Sequence, residues 1–214
     1  MPYDYQAEPG AIERQSFRMI RQLIDLDRFD KTEQQVVMRI VHSLAMPELA
    51  EKVLFSADAC KQGCAALRQN RPILCDVEMV KQGITKRMVR REPMCFVNDS
   101  DTIARAKKRA ETRSMAALTA WQPFLKNSLV LIGNAPTALF RLLEMLEQGE
   151  VNQPSLIIGM PVGFVGAAEA KQALWQAHRE LGVECITLAG RQGGSAVTAA
   201  ACNALLRCNY GEWY

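Results

Sequence analysis

Residues 128–147 read SLVLIGNAPTALFRLLEMLE. An apolar run at 128–133, too short for a helix, passes through Gly133-Asn134-Ala135-Pro136-Thr137 into helical spacing over about 136–148. The unit recurs downstream. PSLIIG at 154–159 leads through a glycine-rich turn, Gly159 to Gly166, into a helix over about 167–181. ECITL at 184–188 leads through Gly190-Arg191-Gln192-Gly193-Gly194-Ser195 into a helix over about 194–206. Upstream, PILCD at 72–76 and MCFV at 94–97 precede helical stretches over about 76–83 and 101–120. Short buried strands alternating with helices are the signature of βαβ units and a parallel sheet. Right-handed crossovers then place helices on both faces. The expectation is an α/β fold in three layers (α/β/α) with a mainly parallel five-stranded sheet. With no linker, repeat or low-complexity tract, it reads as one domain over 1–214.

The N-terminal third has a different texture. Pro9 opens a helix over 9–27 with Ile12, Met19, Ile20, Leu23 and Ile24 at helical spacing. A second helix follows Asp30 or Thr32, with Thr32 a candidate N-cap and Pro47 marking the end. A third covers about 57–69. This helical segment is expected to pack on the sheet.

Composition narrows the chemistry. The 214 residues are 49% hydrophobic and 23% charged, the balance of an ordinary globular chain rather than a disordered one. A net charge of +3 is too small to argue for nucleic acid. Seven cysteines, an odd number with no CxxC pair, read as reduced thiols rather than a disulfide framework. The polar, acidic N-terminus lacks the regions of a signal peptide, and no apolar stretch is long enough to span a bilayer. The reading is a soluble cytoplasmic protein. Only two histidines, His42 and His178, are available for proton chemistry near neutrality, and no His-rich metal site exists.

In open parallel sheets, ligands sit beyond the carboxyl ends of the strands. The turns at Gly133-Asn134, Gly163 and Gly193 are therefore candidate anion cradles, glycine allowing close approach and helix N-termini favouring negative charge. Ordinary turn chemistry is the alternative, and neither a P-loop nor a GxGxxG fingerprint occurs. His42 points away from the apolar face of its helix, with Met38 and Met46 four residues to either side. It is either a partly exposed surface residue or an acid facing a large apolar ligand. His178 reads as solvated. Ser16 lies within the apolar stripe of the first helix, where it either bonds back to its own helix or points into a site. The region from Lys86 to Arg113 is locally basic, and Arg113, leading into Met115-Ala116-Ala117-Leu118, is the member expected to face inward. A basic patch without interleaved aromatics suits a polyanionic small molecule.

Longer motifs carry a resemblance. They are AIERQSF at 11–17, RIVH at 39–42, FSAD at 55–58, ILCDVEMV at 73–80, GNAPTALFRLLE at 133–144, GMPVGFVGAAEAK at 159–171 and GRQGGSAVTAAACNAL at 190–205. Together these closely resemble the precorrin-8X and cobalt-precorrin-8 methylmutases of cobalamin biosynthesis, over nearly the whole chain. Gln192 stands where the family often has a basic residue, and the Asn209–Tyr214 tail matches nothing in the pattern. The resemblance implies an isomerase that moves a methyl group from C-11 to C-12 of a corrinoid macrocycle. The family's catalytic histidine falls on His42 and its substrate-contacting serine on Ser16. Thr85 and Arg113 fall on positions expected to touch the ring or its carboxylates. It implies no cofactor, cobalt being present only when the substrate already carries it. It also implies a tetrapyrrole partner with several carboxylates and a homodimer, and leaves room for transient contact with neighbouring pathway enzymes. A non-catalytic corrinoid carrier is the alternative from another functional class. A nucleotide-binding enzyme, resting on the glycine turns alone, is a third.

Overall fold

The computed structural model describes residues 3–214. Five strands form one sheet: β1 (Val53–Phe55), β2 (Ile73–Cys75), β3 (Leu129–Ile132), β4 (Leu156–Gly159) and β5 (Cys185–Leu188). Their order is β1-β5-β4-β3-β2, with β2 to β5 parallel and β1 antiparallel to β5. One expected strand is replaced by another. The run at 94–97 makes only an isolated bridge, in which Met94 pairs with Leu74 at the open edge of β2. Its Met94 and Phe96 side chains turn instead to the core beneath, where Phe96 stacks on Phe124. The antiparallel edge, β1, is three residues long and offers no period to read.

Ten α-helices surround the sheet among the described residues: α1 (Pro9–Leu23), α2 (Lys31–Leu44), α3 (Ala59–Arg68), α4 (Glu78–Gly83), α5 (Ser100–Arg109), α6 (Arg113–Ala116), α7 (Leu118–Trp121), α8 (Pro136–Glu147), α9 (Ala167–Ala177) and α10 (Ser195–Asn209). The stretch at 101–120 breaks into three because Ala110 takes a left-handed conformation and Thr112 starts a new cap. The cap of α2 is Asp30 rather than Thr32. Its carboxylate accepts from the Thr32 and Glu33 amides while Glu33 reaches back to the Asp30 amide.

β2 to β5 lie side by side in sequence order. Each right-handed crossover therefore steps the same way and leaves α7, α8 and α9 on the same face. That face buries Leu74, Val130, Ile132, Ile157 and Cys185 against α7, α8 and α9. The alternate residues, Ile73, Cys75, Leu129, Leu131, Leu156 and Ile158, point to the other face, as the two-residue period of a strand requires. Helices do cover both faces, as expected, but of the crossover helices only α4 lies on the second face, where it packs on α10. The second is covered by α3 and α10, with α2 packed chiefly on α10 and α1 on α2. Hence α2 is buried along its middle, from Gln35 to Met38 and at Ile40 and Val41, and Met38 lies fully buried in the core rather than beside His42. The seven cysteines are free thiols; burial pushes the Cys202 thiol up to about 12. No described helix is long and apolar enough to cross a membrane.

Candidate active site

The capping box fixes where α2 starts, and a left-handed Ala45 (φ 52°) ends it just before Pro47. His42 falls in the last turn. Across from it, α1 is started by Glu8, whose carboxylate accepts from the Gly10 and Ala11 amides. The apolar stripe expected on α1 divides. Phe17 and Ile20 are buried, while Ile12, Met19 and Leu23 stand exposed. Ser16 and His42 meet in the resulting groove of about 310 Å³, walled by Met19, Ile20, Leu23 and Val41 and closed at one end by Ala45 and Pro47. The Ser16 hydroxyl donates to the Ile12 carbonyl at 2.9 Å, so its lone pairs remain free to accept.

Behind the groove, the His42 ring stacks on Phe17 at 5.2 Å between centroids, with 21° between planes. The Arg39 guanidinium lies 4.7 Å over the same Phe17 ring and donates to Glu13 Oε1 at 2.7 Å. Arg207 from α10 approaches that oxygen at 3.5 Å. Partial burial, then the Arg39 charge, hold the imidazole pKa below its ordinary value, while the Glu13 carboxylate works the other way. The result is an imidazolium that gives up its proton more readily than an ordinary histidine would.

The remaining sequence candidates lie elsewhere in the fold. Thr85 sits in the link after α4, its amide donating to Asn203 Oδ1 of α10 at 2.8 Å. Arg113 does not face inward. It is exposed at the first position of α6 and donates to Asn98 Oδ1 at 3.1 Å. A bond of 2.8 Å between Thr112 and Thr137 ties that helix start to the Gly133-Asn134 turn. The amides of that turn are not open to an external anion: Gly133, Asn134 and Ala135 donate to the Asp76 carboxylate at 3.0, 2.8 and 2.9 Å. The Asn134 side chain remains exposed. Gly163 and Gly193 belong to adjoining turns, joined by Gly163 N–H to Arg191 O at 3.4 Å and Gly194 N–H to Met160 O at 2.8 Å. A side chain at Gly193 would place Cβ 2.3 Å from the Met160 carbonyl oxygen, so only glycine permits this approach.

His178 is the clear correction. It is buried, not solvated, with Nδ1 2.7 Å from the Trp175 carbonyl and its ring stacked on Trp175. Sequence reasoning also passed over Lys171, whose ammonium is buried without a carboxylate and donates to the Gln192 carbonyl. Burial, reinforced by Lys52, brings its pKa down to about 8. Lys52 donates to Gln192 Oε1 at 2.6 Å, so two cations pin the turn before α10. A lysine amid AAEAKQAL was the available signal.

The family model for Precorrin-8X methylmutase matches residues 11–208. The chain belongs to that family. This methylmutase is 47% identical over 207 residues to the precorrin-8X methylmutase of a Sinorhizobium species, covering 96% of this chain and 97% of the relative. It is 43% identical over 204 residues to the Pseudomonas aeruginosa precorrin-8X methylmutase, covering 94% and 97%. The cobalt-precorrin-8 methylmutase of Salmonella typhimurium is 39% identical over 211 residues, covering 94% and 96%. The crystal structure of the Thermus thermophilus precorrin-8x methyl mutase superposes with a TM-score of 0.85 at 36% identity, covering 96% of this chain and 98% of that one. The methylmutase is thus an intramolecular methyl-transferring isomerase on a five-stranded α/β scaffold.

The charge arrangement around His42 in this methylmutase carries a direct test. Glu13→Gln removes the one nearby anion and leaves Arg39 and Arg207 uncompensated. The His42 imidazole should then titrate at lower pH than in the parent, as read by NMR of its ring Cε1–H. The parent protein, titrated in the same way, is the reference. An unmoved or raised midpoint would show that Glu13 does not act on the imidazole.

Proposed function

We propose that this methylmutase acts on metal-free precorrin-8X and moves the C-11 methyl to C-12 to give hydrogenobyrinate, with His42 as proton donor to the macrocycle. One C–C bond breaks at C-11 and one forms at C-12. The proton lent to a ring nitrogen returns to the imidazole, so nothing is consumed. The observation that carries this reading is the groove itself, in which a lone histidine of lowered pKa and a serine with free lone pairs face apolar walls. A ligand bearing several carboxylates raises the imidazole pKa on binding and so charges the acid when it is needed. The walls and rim hold the ring in register with it. Ser16 accepts a hydrogen bond from the substrate, and Thr85, Arg113, the exposed Asn134 side chain and the turns at Gly163 and Gly193 contribute to the wider binding surface, while buried Gly133 serves it only by holding its turn on Asp76. The choice of metal-free substrate is supported by likeness: the relatives at 47% and 43% identity are precorrin-8X methylmutases, the cobalt-precorrin-8 methylmutases named with them falling at 33–39%.

A groove of about 310 Å³ seats one edge of a tetrapyrrole. We therefore include a homodimer in the proposal, the partner chain covering the exposed Met19 and Leu23 and completing the site. Unpaired thiols suit a reducing compartment and support a cytoplasmic location. The test is to offer purified protein precorrin-8X and cobalt-precorrin-8 separately and follow the visible spectrum through many equivalents. Catalytic appearance of the corrin chromophore from precorrin-8X is expected. Conversion of the cobalt form alone would overturn the substrate choice, and a single stoichiometric conversion with retained product would favour a carrier instead.

A further inference from the structure

Beyond residue 208, where the family match stops, the chain folds back over the helices that form the groove. Gly211 (φ 74°) reverses its direction, and the Glu212 carboxylate pairs with Arg207. Trp213 lies beneath Lys31 of α2, with Nζ 4.7 Å from the ring centroid. Tyr214 is then held at both backbone groups by one buried side chain: its N–H donates to Gln35 Oε1 at 2.9 Å and its carbonyl accepts from Gln35 Nε2 at 2.9 Å. Arg21 of α1 donates to the same carbonyl oxygen. The Tyr214 ring stacks on Phe17 at 4.2 Å and lies under the Arg39 guanidinium at 5.1 Å. Its hydroxyl accepts from Arg207 at 3.3 Å, the same arginine that approaches Glu13.

These contacts converge on the two groups behind His42. Gln35, Arg39 and His42 are spaced four and three residues apart, one stripe along α2. Phe17, which stacks on His42, is also the ring on which Tyr214 rests. We infer that residues 209–214 form a strap and that Tyr214 is a positioning residue, fixing the His42 imidazole through Phe17 and the Arg39–Glu13 pair. This rests on His42 being the proton donor. The charged groups around the imidazole are Arg39 from its own helix and Glu13 from α1, with Arg207 of α10 acting through Glu13.

In the full chain, Tyr214→Ala should lower kcat by about ten- to a hundredfold with KM within about twofold, since a small misplacement of a catalytic group costs rate before binding. The NMR titration midpoint of His42 should rise as water reaches the loosened imidazole. Tyr214→Phe keeps the stack and should restore kcat and midpoint. Gln35→Leu, which removes both hydrogen bonds from Gln35 to the Tyr214 backbone while filling the same space, should shift kcat and midpoint in the same direction as Tyr214→Ala and serves if that variant fails to fold. Equal losses in Tyr214→Ala and Tyr214→Phe, or an unmoved His42 midpoint in Tyr214→Ala, would overturn the strap. A His42→Ala variant with full activity would overturn the underlying reading instead, whatever Tyr214 does.

Discussion

Replacing His42 by alanine is expected to lower turnover by a factor of roughly 10²–10⁴, the ordinary contribution of one positioned proton donor. No other histidine can take over, because His178 is buried against Trp175 with Nδ1 committed to a backbone carbonyl. Ser16 has no acidity near neutrality, and its proton already serves the Ile12 carbonyl. Binding of the coloured corrinoid should survive, since the apolar walls and the rest of the rim remain. The fold should survive as well. His42 stands on the open side of α2, and alanine is the better helix former there. Loss of the Phe17 stack is worth only about 0.5–1.5 kcal/mol. Spectral titration with precorrin-8X, followed by single-turnover absorbance, separates binding from rearrangement. A variant that binds and turns over like the parent would remove His42 from the mechanism.

The glycine-punctuated runs at 128–133, 154–159 and 184–188 were legible because a buried parallel strand reads as a short apolar block ended by a turn. Val53–Phe55 was not, since an edge strand of three residues has neither length nor period. MCFV misled for the opposite reason: it alternates as a strand would, Met94 and Phe96 packing into one core and Cys95 into the other, yet only Met94 is bridged to β2. His42 and Ser16 were legible as a pair through the motifs that contain them, and the structure brings both into one groove. Their support was less visible. Glu13, Phe17 and Arg39 come from two helices, and Tyr214 arrives at Phe17 from 197 positions away, a closeness that no local spacing encodes. His178 failed because charged neighbours in sequence do not fix which way a residue at a helix end will turn.

The Gly133 turn gives the second large effect, and it reverses the sequence reading most instructively. The pattern of a glycine turn before a helix did announce an anion seat. The anion is the protein's own Asp76, fully buried at the end of β2, and it joins β2 to the turn after β3 through three amides. Burial pushes this carboxyl up, while the three amide hydrogen bonds pull it back. Asp76→Ala should cost about 3–5 kcal/mol, because each buried amide left without an acceptor costs roughly 1–3 kcal/mol and only that of Asn134 lies where water can reach it. That is a large part of the roughly 5–15 kcal/mol by which a domain is stable. Asp76→Asn should fare nearly as badly, since its NH₂ group turns a donor towards donors. Urea denaturation reads both losses as a lower midpoint. Formate should then raise the melting temperature of Asp76→Ala in proportion to its concentration and leave the parent unmoved, because the vacated amides bind a free carboxylate as they bound the side chain. A variant melting with the parent, or one indifferent to formate, would mean that the three amides do not depend on this charge.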